Sequence, residues 1–427
     1  MNAGRGEVTV IGAGIVGISC AINLQRRGYS VTVIDREAAA GEGCSFGNAG
    51  LIAPCALVPV NIPGLLWKAP KMLLDPLGPL SLRWRYLPRM LPWLMSYLYN
   101  SRATKVEQVS DALTPLVGGA LEEHQRLAAG TGAESWIQPS PYLYLYVDRA
   151  AMMADDYAWS LRRARGIKTR VLEGAALHGF EPAISTDYQC ALVLEEGHGF
   201  ARDPSQLVKA LAESFQREGG RLHFGEVSGV KRGDKRVESL CVDGEYLAIE
   251  RLVVAAGAWS GKLAALLGDS VPLETERGYH VTVKNPGINP KYPIMYTAGK
   301  LVVTPMSSGL RFAGLVEFGG LETEPDYRRA RTLLTHAKNL FPQIDPSDFS
   351  EWMGHRPALP DSLPVIGPAS FVTNAWYAFG HQHIGMMSGP KTGRALAELI
   401  DGEEPDLNLA PFSVERFGNR RSVAANL

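Results

Sequence analysis

Gly12, Gly14 and Gly17 stand in the spacing GxGxxG, directly after the apolar run Val8 to Ile11. Glycines at this spacing let a backbone turn tightly and meet a pyrophosphate, and the helix that follows offers unpaired amides and partial positive charge. Gly12 permits the turn, Gly14 lets the phosphates approach and Gly17 allows helix to pack on strand, with Ile15 and Val16 inside the motif. Asp35, with Arg36 beside it, ends the next strand about 20 residues on, where an acid accepts hydrogen bonds from ribose hydroxyls. A merely tight βα turn would share the glycines; strand, helix and acid in order point to a dinucleotide, without separating NAD from FAD. Two further stretches favour a flavin. Ala255 to Trp259 ends a strand in small residues, so backbone can pass close to a cofactor. Gly380 to Met386 is a glycine-rich turn before a helix from Pro390 to Ile400, able to aim amides at charge developing on a reduced flavin ring.

These residues need a frame. Val8–Ile11, Gly14–Arg27 and Val31–Asp35 read as one βαβ unit, Asp111–Ala128 and Asp203–Glu218 as helices, and Tyr142–Tyr146 and Arg251–Ala255 as strands. Alternation of this kind is α/β. A strand-rich stretch from Pro272 to Phe349 reads as a second domain, after which the chain returns to the nucleotide domain at Gly354–Gly367 and Gly380–Leu399. The 427 residues, with 46% hydrophobic and 20% charged, suit two packed domains of a globular protein. A net charge of −1 gives no reason to expect nucleic acid as a partner. Five scattered cysteines, with no CxxC pair or histidine cluster, predict reduced thiols and no metal. The polar lead MNAGRGE lacks the apolar run of a secretory signal, and no stretch offers about 18 uninterrupted apolar residues, so a cytoplasmic location is expected.

Four segments carry a resemblance to a known family: VIGAGIVGISCAINLQRRGYSVTVIDRE, CSFGNAGLIAP, GHRPALPDSLPVIGP and AFGHQHIGMMSGPKTGRALAELI. Together they resemble the glycine oxidase and D-amino-acid oxidase superfamily, and within it the FAD-dependent D-amino acid dehydrogenases. The resemblance implies an α/β fold in which a Rossmann-like FAD domain (1–55, 150–260 and 350–427) is interleaved with a mixed-sheet α+β substrate domain (56–149 and 261–349). It places Ser45, Asn48, Ala49, Gly50 and Leu51 along the flavin, Val227 at the adenine end, and Gly257, Gly354, His383, Gly385 and Met386 around the rest of the cofactor. Covalent members carry a cysteine in or near the segment matching Ser350–Pro364; none stands here, so FAD is expected to be noncovalent.

The chemistry implied is hydride transfer from the Cα of a small amino acid or imino acid, most of all a D-isomer. A quinone or other acceptor takes the electrons. An oxygen-using glycine or sarcosine type oxidase and a non-catalytic electron-relay subunit are the alternatives. The candidate catalytic residues are Arg356, Tyr279 and His383. Arg356 offers a planar fork for a substrate carboxylate, with an interdomain salt bridge as its other reading. Tyr279 offers a hydroxyl to the carboxylate. The roles of His280, Arg311 and His381 stay open: His280 can alternate to the other face of its strand, and an exposed sheet arginine is the commoner outcome for Arg311. GHRP in place of the family's G-L-R-P and the histidine-rich HQHIG fall where substrate belongs and leave its identity open. Residues 64–100 mix Trp67, Trp84 and Trp93 with Lys68, Lys71, Arg83, Arg85 and Arg89, a pattern that fits either peripheral membrane contact or short helices packed on the core.

Overall fold

A computed structural model describes residues 5–64, 73, 75 and 78–418. Strand Glu7–Ile11 lies at the centre of a six-stranded sheet, flanked in parallel by Ser30–Asp35 and Arg251–Val254. Arg221–Phe224 and Ala375–Phe379 extend the sheet in parallel, and Val365–Pro368 closes it antiparallel. Its central strands are largely apolar because both faces are covered, one by helices and the other by the strand Val237–Val242 and helix Ser260–Leu267, which pack Leu240, Val242 and Leu263 on Ile11, Ile34 and Val254. Helix Ile15–Arg26 shares one core with Gly385–Ile400 and Pro204–Arg217: Ile18, Leu24, Leu207, Leu211 and Leu396 are all buried there.

The second large sheet has nine strands. Phe349–Ala358 forms its edge, followed by Glu274–Val283, Gly309–Phe318, Leu301–Met306 and Ile294–Tyr296, then Tyr142–Tyr146, Cys190–Leu194 and Arg170–Glu173. Leu80–Leu82 pairs in parallel with Gly309–Phe318. Helix Tyr327–Leu340 covers one face, packing Ala330, Leu333 and Ala337 with Tyr279, Val281 and Phe312. The other face turns toward the first domain.

The layout departs from the sequence expectation at identifiable places. Helices Ala103–Val117 and Ala120–Ala128 bury Val106, Leu113 and Leu127 in the nucleotide-domain core, although residues 56–149 were expected in the substrate domain. Amphipathic periodicity says that a helix buries one face, not whose core receives it. A single helix over Asp111–Ala128 is in fact two, broken where Gly119 takes a φ of 67°. Strands Arg170–Glu173 and Cys190–Leu194 join the nine-stranded sheet, not the nucleotide sheet, and so does Phe349–Ala358. The return to the nucleotide domain therefore begins at Val365 instead of Gly354.

Of the basic and aromatic stretch, Trp67, Lys68 and Lys71 fall outside the described residues. Helix Leu87–Tyr99 buries Met90, Trp93 and Tyr97 against Phe318 and Ala358, while Leu91, Met95 and Tyr99 face outward near exposed Trp84. Among the described residues no helix is long and apolar enough to cross a membrane. All five cysteines are free.

Candidate active site

The glycine turn works by close approach. Gly12 has a φ of +111°, and a Cβ there would fall 2.3 Å from the Ala255 carbonyl oxygen. A Cβ on Gly17 would fall 1.8 Å from the carbonyl oxygen of Gly12, so the helix can seat on the turn only without one. The Ala13 amide donates to Asp35 Oδ2 at 2.5 Å and the Glu37 amide to Oδ1 at 2.8 Å. Burial pushes the Asp35 carboxyl above its ordinary range, and those two amides pull against it. The Ile15 amide, at the helix N-terminus, donates to Ser45 Oγ at 3.0 Å.

A cleft of about 300 Å³, partly open to solvent, runs along this turn. Asp35, Arg36 and Val227 line it, as do Gly12, Gly14, Ile15 and Val16, then Ser45 and Asn48, and finally Gly257, Gly385 and Met386. Gly17, Ala49, Gly50, Leu51 and Gly354 stand apart from it. Gly17 serves the helix contact above, and Leu51 pairs with Phe200 in a small three-stranded sheet. Gly354 lies under the Trp352 indole, where a Cβ would fall 1.9 Å from the ring. Arg36, expected beside Asp35, stacks over the Trp259 ring at 3.5 Å; two lining groups were not anticipated, Cys44 and His355, which border the cleft. No local pattern pairs residues as distant in the chain as Arg36 and Trp259. A ribose-accepting acid, a helix N-terminus for phosphates and glycine backbone open to a ligand fit an adenine dinucleotide.

The nine-stranded sheet holds one wall of this site through side chains. Arg311 Nη1 donates to the carbonyls of Phe46 at 3.2 Å and Asn48 at 2.7 Å, Thr304 Oγ1 donates to the Ala49 carbonyl at 2.7 Å, and His280 Nδ1 lies 3.0 Å from the Gly47 carbonyl. The loop 46–49 is thereby pinned to the roof. Arg311 is buried, not the exposed sheet arginine expected, and burial lowers its pKa to about 10. His280 stacks on Trp352 and is pushed down to about 3, first by burial and then by Arg311.

Arg356 and Tyr279 do not share a face. Glu276 and Arg356 are direct partners in the ladder, as are Gly278 and Gly354, so these four point one way and Arg277 and Tyr279 the other. Arg356, partly exposed, donates from Nη1 to the Leu315 carbonyl at 3.0 Å and from Nη2 to Gly314 at 3.2 Å. Leu315 holds a φ of 59°, next to a register shift in its ladder, and this irregularity accompanies the carbonyls turned toward Arg356. Tyr279 is 1% exposed; its hydroxyl donates to Glu317 Oε2 at 2.5 Å and accepts from the Asp326 amide at 3.1 Å. Arg277 and Arg83 complete that ion cluster on Glu317. His280 therefore shares the Arg356 face, while Tyr279 belongs to the interior beneath it.

His383 follows Gln382, whose φ is 46°. Burial, then the nearby Arg356 charge, lowers His383 to about 4. His381, its Nε2 3.1 Å from Thr392 Oγ1, is pushed by burial to about 3. Both imidazoles are neutral near pH 7.

The DAO family, described as FAD dependent oxidoreductase, matches residues 7–399. A D-amino-acid oxidase of Bradyrhizobium diazoefficiens is 39% identical over 98% of this chain and 100% of that protein. A D-amino acid dehydrogenase of Paramagnetospirillum magneticum is 30% identical over 96% of this chain and 99% of that one. The glycine oxidase of Geobacillus kaustophilus superposes with a TM-score of 0.72 at 22% identity, covering 96% of this chain and 98% of that structure. That last likeness speaks to the fold alone.

Proposed function

The chain belongs to the DAO family of FAD-dependent oxidoreductases, and from that premise we propose that it oxidises the C–N bond of a D-amino or D-imino acid to the imino product, which water converts to a 2-oxo acid. The observation that carries the reading is Arg356: a partly exposed guanidinium on the roof sheet, with two of its donors fixed on backbone carbonyls and the others without a hydrogen-bond partner among the described residues, open to a carboxylate. Bound FAD supplies the hydride acceptor. Its holders would be Gly12, Gly14, Ile15 and the Val16 amide along the phosphates, Asp35 and Val227 for the adenosine end, and Ser45, Asn48, Gly257, Gly385 and Met386 nearer the ring. Arg356 grips the substrate carboxylate and so fixes which hydrogen of Cα points at the cofactor. The amine must be neutral when the hydride leaves, and His383, itself neutral, would serve it as a hydrogen-bond acceptor and not as a strong base.

The electrons go to a quinone or another respiratory acceptor. Exposed Trp84, Leu91, Met95 and Tyr99, beside Arg85 and Arg89, support peripheral contact with an anionic membrane from the cytoplasmic side. A second reading, oxygen as acceptor, is favoured by the 39% identity to a protein named as an oxidase, against 28% and 30% for two named as dehydrogenases.

Anaerobic addition of D- and L-amino acids, glycine, sarcosine and proline derivatives to the purified flavoprotein tests the proposal. Bleaching of the flavin band by D-isomers is expected; bleaching by none of these compounds sinks it. Peroxide formed in air with the same substrate separates the oxidase from the dehydrogenase.

A further inference from the structure

We propose that the substrate pocket takes amino acids whose side chain ends in a cation, with Glu276 as the receptor for that charge. The inference rests on the amino-acid-oxidising reading above and adds the substrate class.

Glu276 is 6% exposed, and among the described residues its carboxylate has no hydrogen bond and no ion pair within 4.0 Å. It faces Arg356 directly across the ladder, yet Arg356 donates to the Leu315 and Gly314 carbonyls instead. A carboxylate this little exposed, with no protein donor on it, is stabilised when a cation arrives. Glu274, on the same face, differs instructively. It accepts from the Tyr86 hydroxyl at 2.9 Å and from the Thr275 amide at 2.8 Å. Glu276 alone of the two is left open.

Its surroundings suit a positive guest. Trp93 Nε1 is buried without a hydrogen-bond partner among the described residues, and Tyr97 lies close enough to feel the Glu276 charge. Trp93 and Tyr97 stack at 4.8 Å and pack with Phe318 and Ala358 at this end of the sheet. Aromatic side chains beside a carboxylate are a common setting for ammonium and guanidinium groups. Burial holds the Glu276 carboxyl above its ordinary range, Glu274 adds to the effect, and Arg356 offsets only part of it. Tyr97 is raised in turn by burial and by Glu276.

Position along the strand says which substrate group reaches Glu276. The Arg356 guanidinium leans over Gly278, toward His280 and the pinned loop. At about 3.3 Å per residue, Glu276 stands roughly 7 Å behind Gly278 and about 13 Å behind His280. A carboxylate held over Gly278 thus lies between the loop and Glu276. What remains to bridge matches the reach of an ornithine, lysine or arginine side chain, and exceeds the distance between an α-carboxylate and its own α-amine.

Pentanoate and 5-aminopentanoate test this without turnover, since neither carries an α-amine. Calorimetric titration of the FAD-loaded protein is expected to show 5-aminopentanoate binding at least tenfold more tightly. Glu276→Gln is expected to erase that advantage and leave the pentanoate Kd within twofold, while Glu276→Asp keeps part of it and guards against a folding artefact. Equal affinities in the wild type, binding of neither acid, or a Glu276→Gln variant that weakens both alike overturns the inference; the last would make Glu276 only a counter-ion for Arg356. If D-amino acids bleach the flavin while the two acids bind alike, the substrate class falls and the oxidation reading stands. A tenfold preference without bleaching by any amino acid leaves the Glu276 site standing and removes the oxidation reading.

Discussion

The guanidinium of Arg356 occupies the space where a side chain on Gly278 would begin, its Cζ falling 2.3 Å from the position of a Cβ there. The neighbouring strand therefore has to carry glycine for the arginine to lie flat on the sheet. Gly278→Ala should displace Arg356 while leaving the FAD cleft intact. Its expected signature is a raised KM for carboxylate substrates with an unchanged flavin spectrum. Arg356→Ala removes two charge-assisted hydrogen bonds from the substrate, each worth about 1.5–3 kcal/mol, so kcat/KM should fall by roughly a hundredfold or more. Arg356→Lys should recover little of this, because a point charge lacks the fork. Kinetics unchanged by Arg356→Ala would take this residue out of the site.

Tyr279 should behave in the opposite way. Its hydroxyl links Glu317 to the Asp326 amide on the helix-covered face. Tyr279→Phe leaves Glu317 with Arg277 and Arg83 but strips the Asp326 amide of its acceptor, at a cost of about 1–3 kcal/mol. A lowered Tm with KM near the wild-type value is expected. A large rise in KM with Tm unchanged would return Tyr279 to the substrate pocket.

The contrast between these two residues marks how far the sequence could be read. Gly12, Gly14, Gly17 and Asp35 were legible because their chemistry depends on local spacing, and the structure brings the turn and the acid together through the Ala13 amide. Arg356 was singled out through the GHRP segment and its resemblance to the family, and the structure holds it partly exposed on the nine-stranded sheet. The face of Tyr279 was not, since strand parity becomes meaningful only when the partner strand and its bulge are known. Arg311 was misjudged because nothing local reveals that loop 46–49 would cross it and supply two carbonyls. The domain assignment of residues 103–128 failed for the same reason: a helix shows its apolar stripe, and only the fold shows which core it meets.

Stability should fall steeply in mild acid. Burial holds His124 at about 4 and His381 at about 3. Their folded values lie below the unfolded value near 6.5, so the unfolded chain binds more protons as the pH drops through that window. The stabilisation from keeping them neutral is complete above about pH 6.5 and is lost toward pH 4. For His124 alone the loss is roughly 3 kcal/mol by pH 4. Thermal melts from pH 7.5 to 4.5 should show Tm declining below pH 6.5, and His124→Gln should flatten the slope. A Tm constant between pH 7 and 5 would contradict this account.

FAD should leave the protein intact on denaturation. Cys44 borders the cleft and is the cysteine best placed to attack a flavin. Its thiol instead donates to the His355 carbonyl at 2.6 Å, and burial raises its pKa to about 11 despite the pull of Arg356. The thiolate is the nucleophile, and at that pKa it is almost absent near neutrality. The segment from Ser350 to Pro364 offers no other cysteine. Acid precipitation should therefore leave the yellow chromophore in the supernatant and a colourless pellet, and Cys44→Ala should keep the flavin content of the wild type. Colour retained in the wild-type pellet and released by Cys44→Ala would instead identify Cys44 as the point of attachment. That outcome would also mean that the cofactor shifts the His355 strand enough to free the thiol.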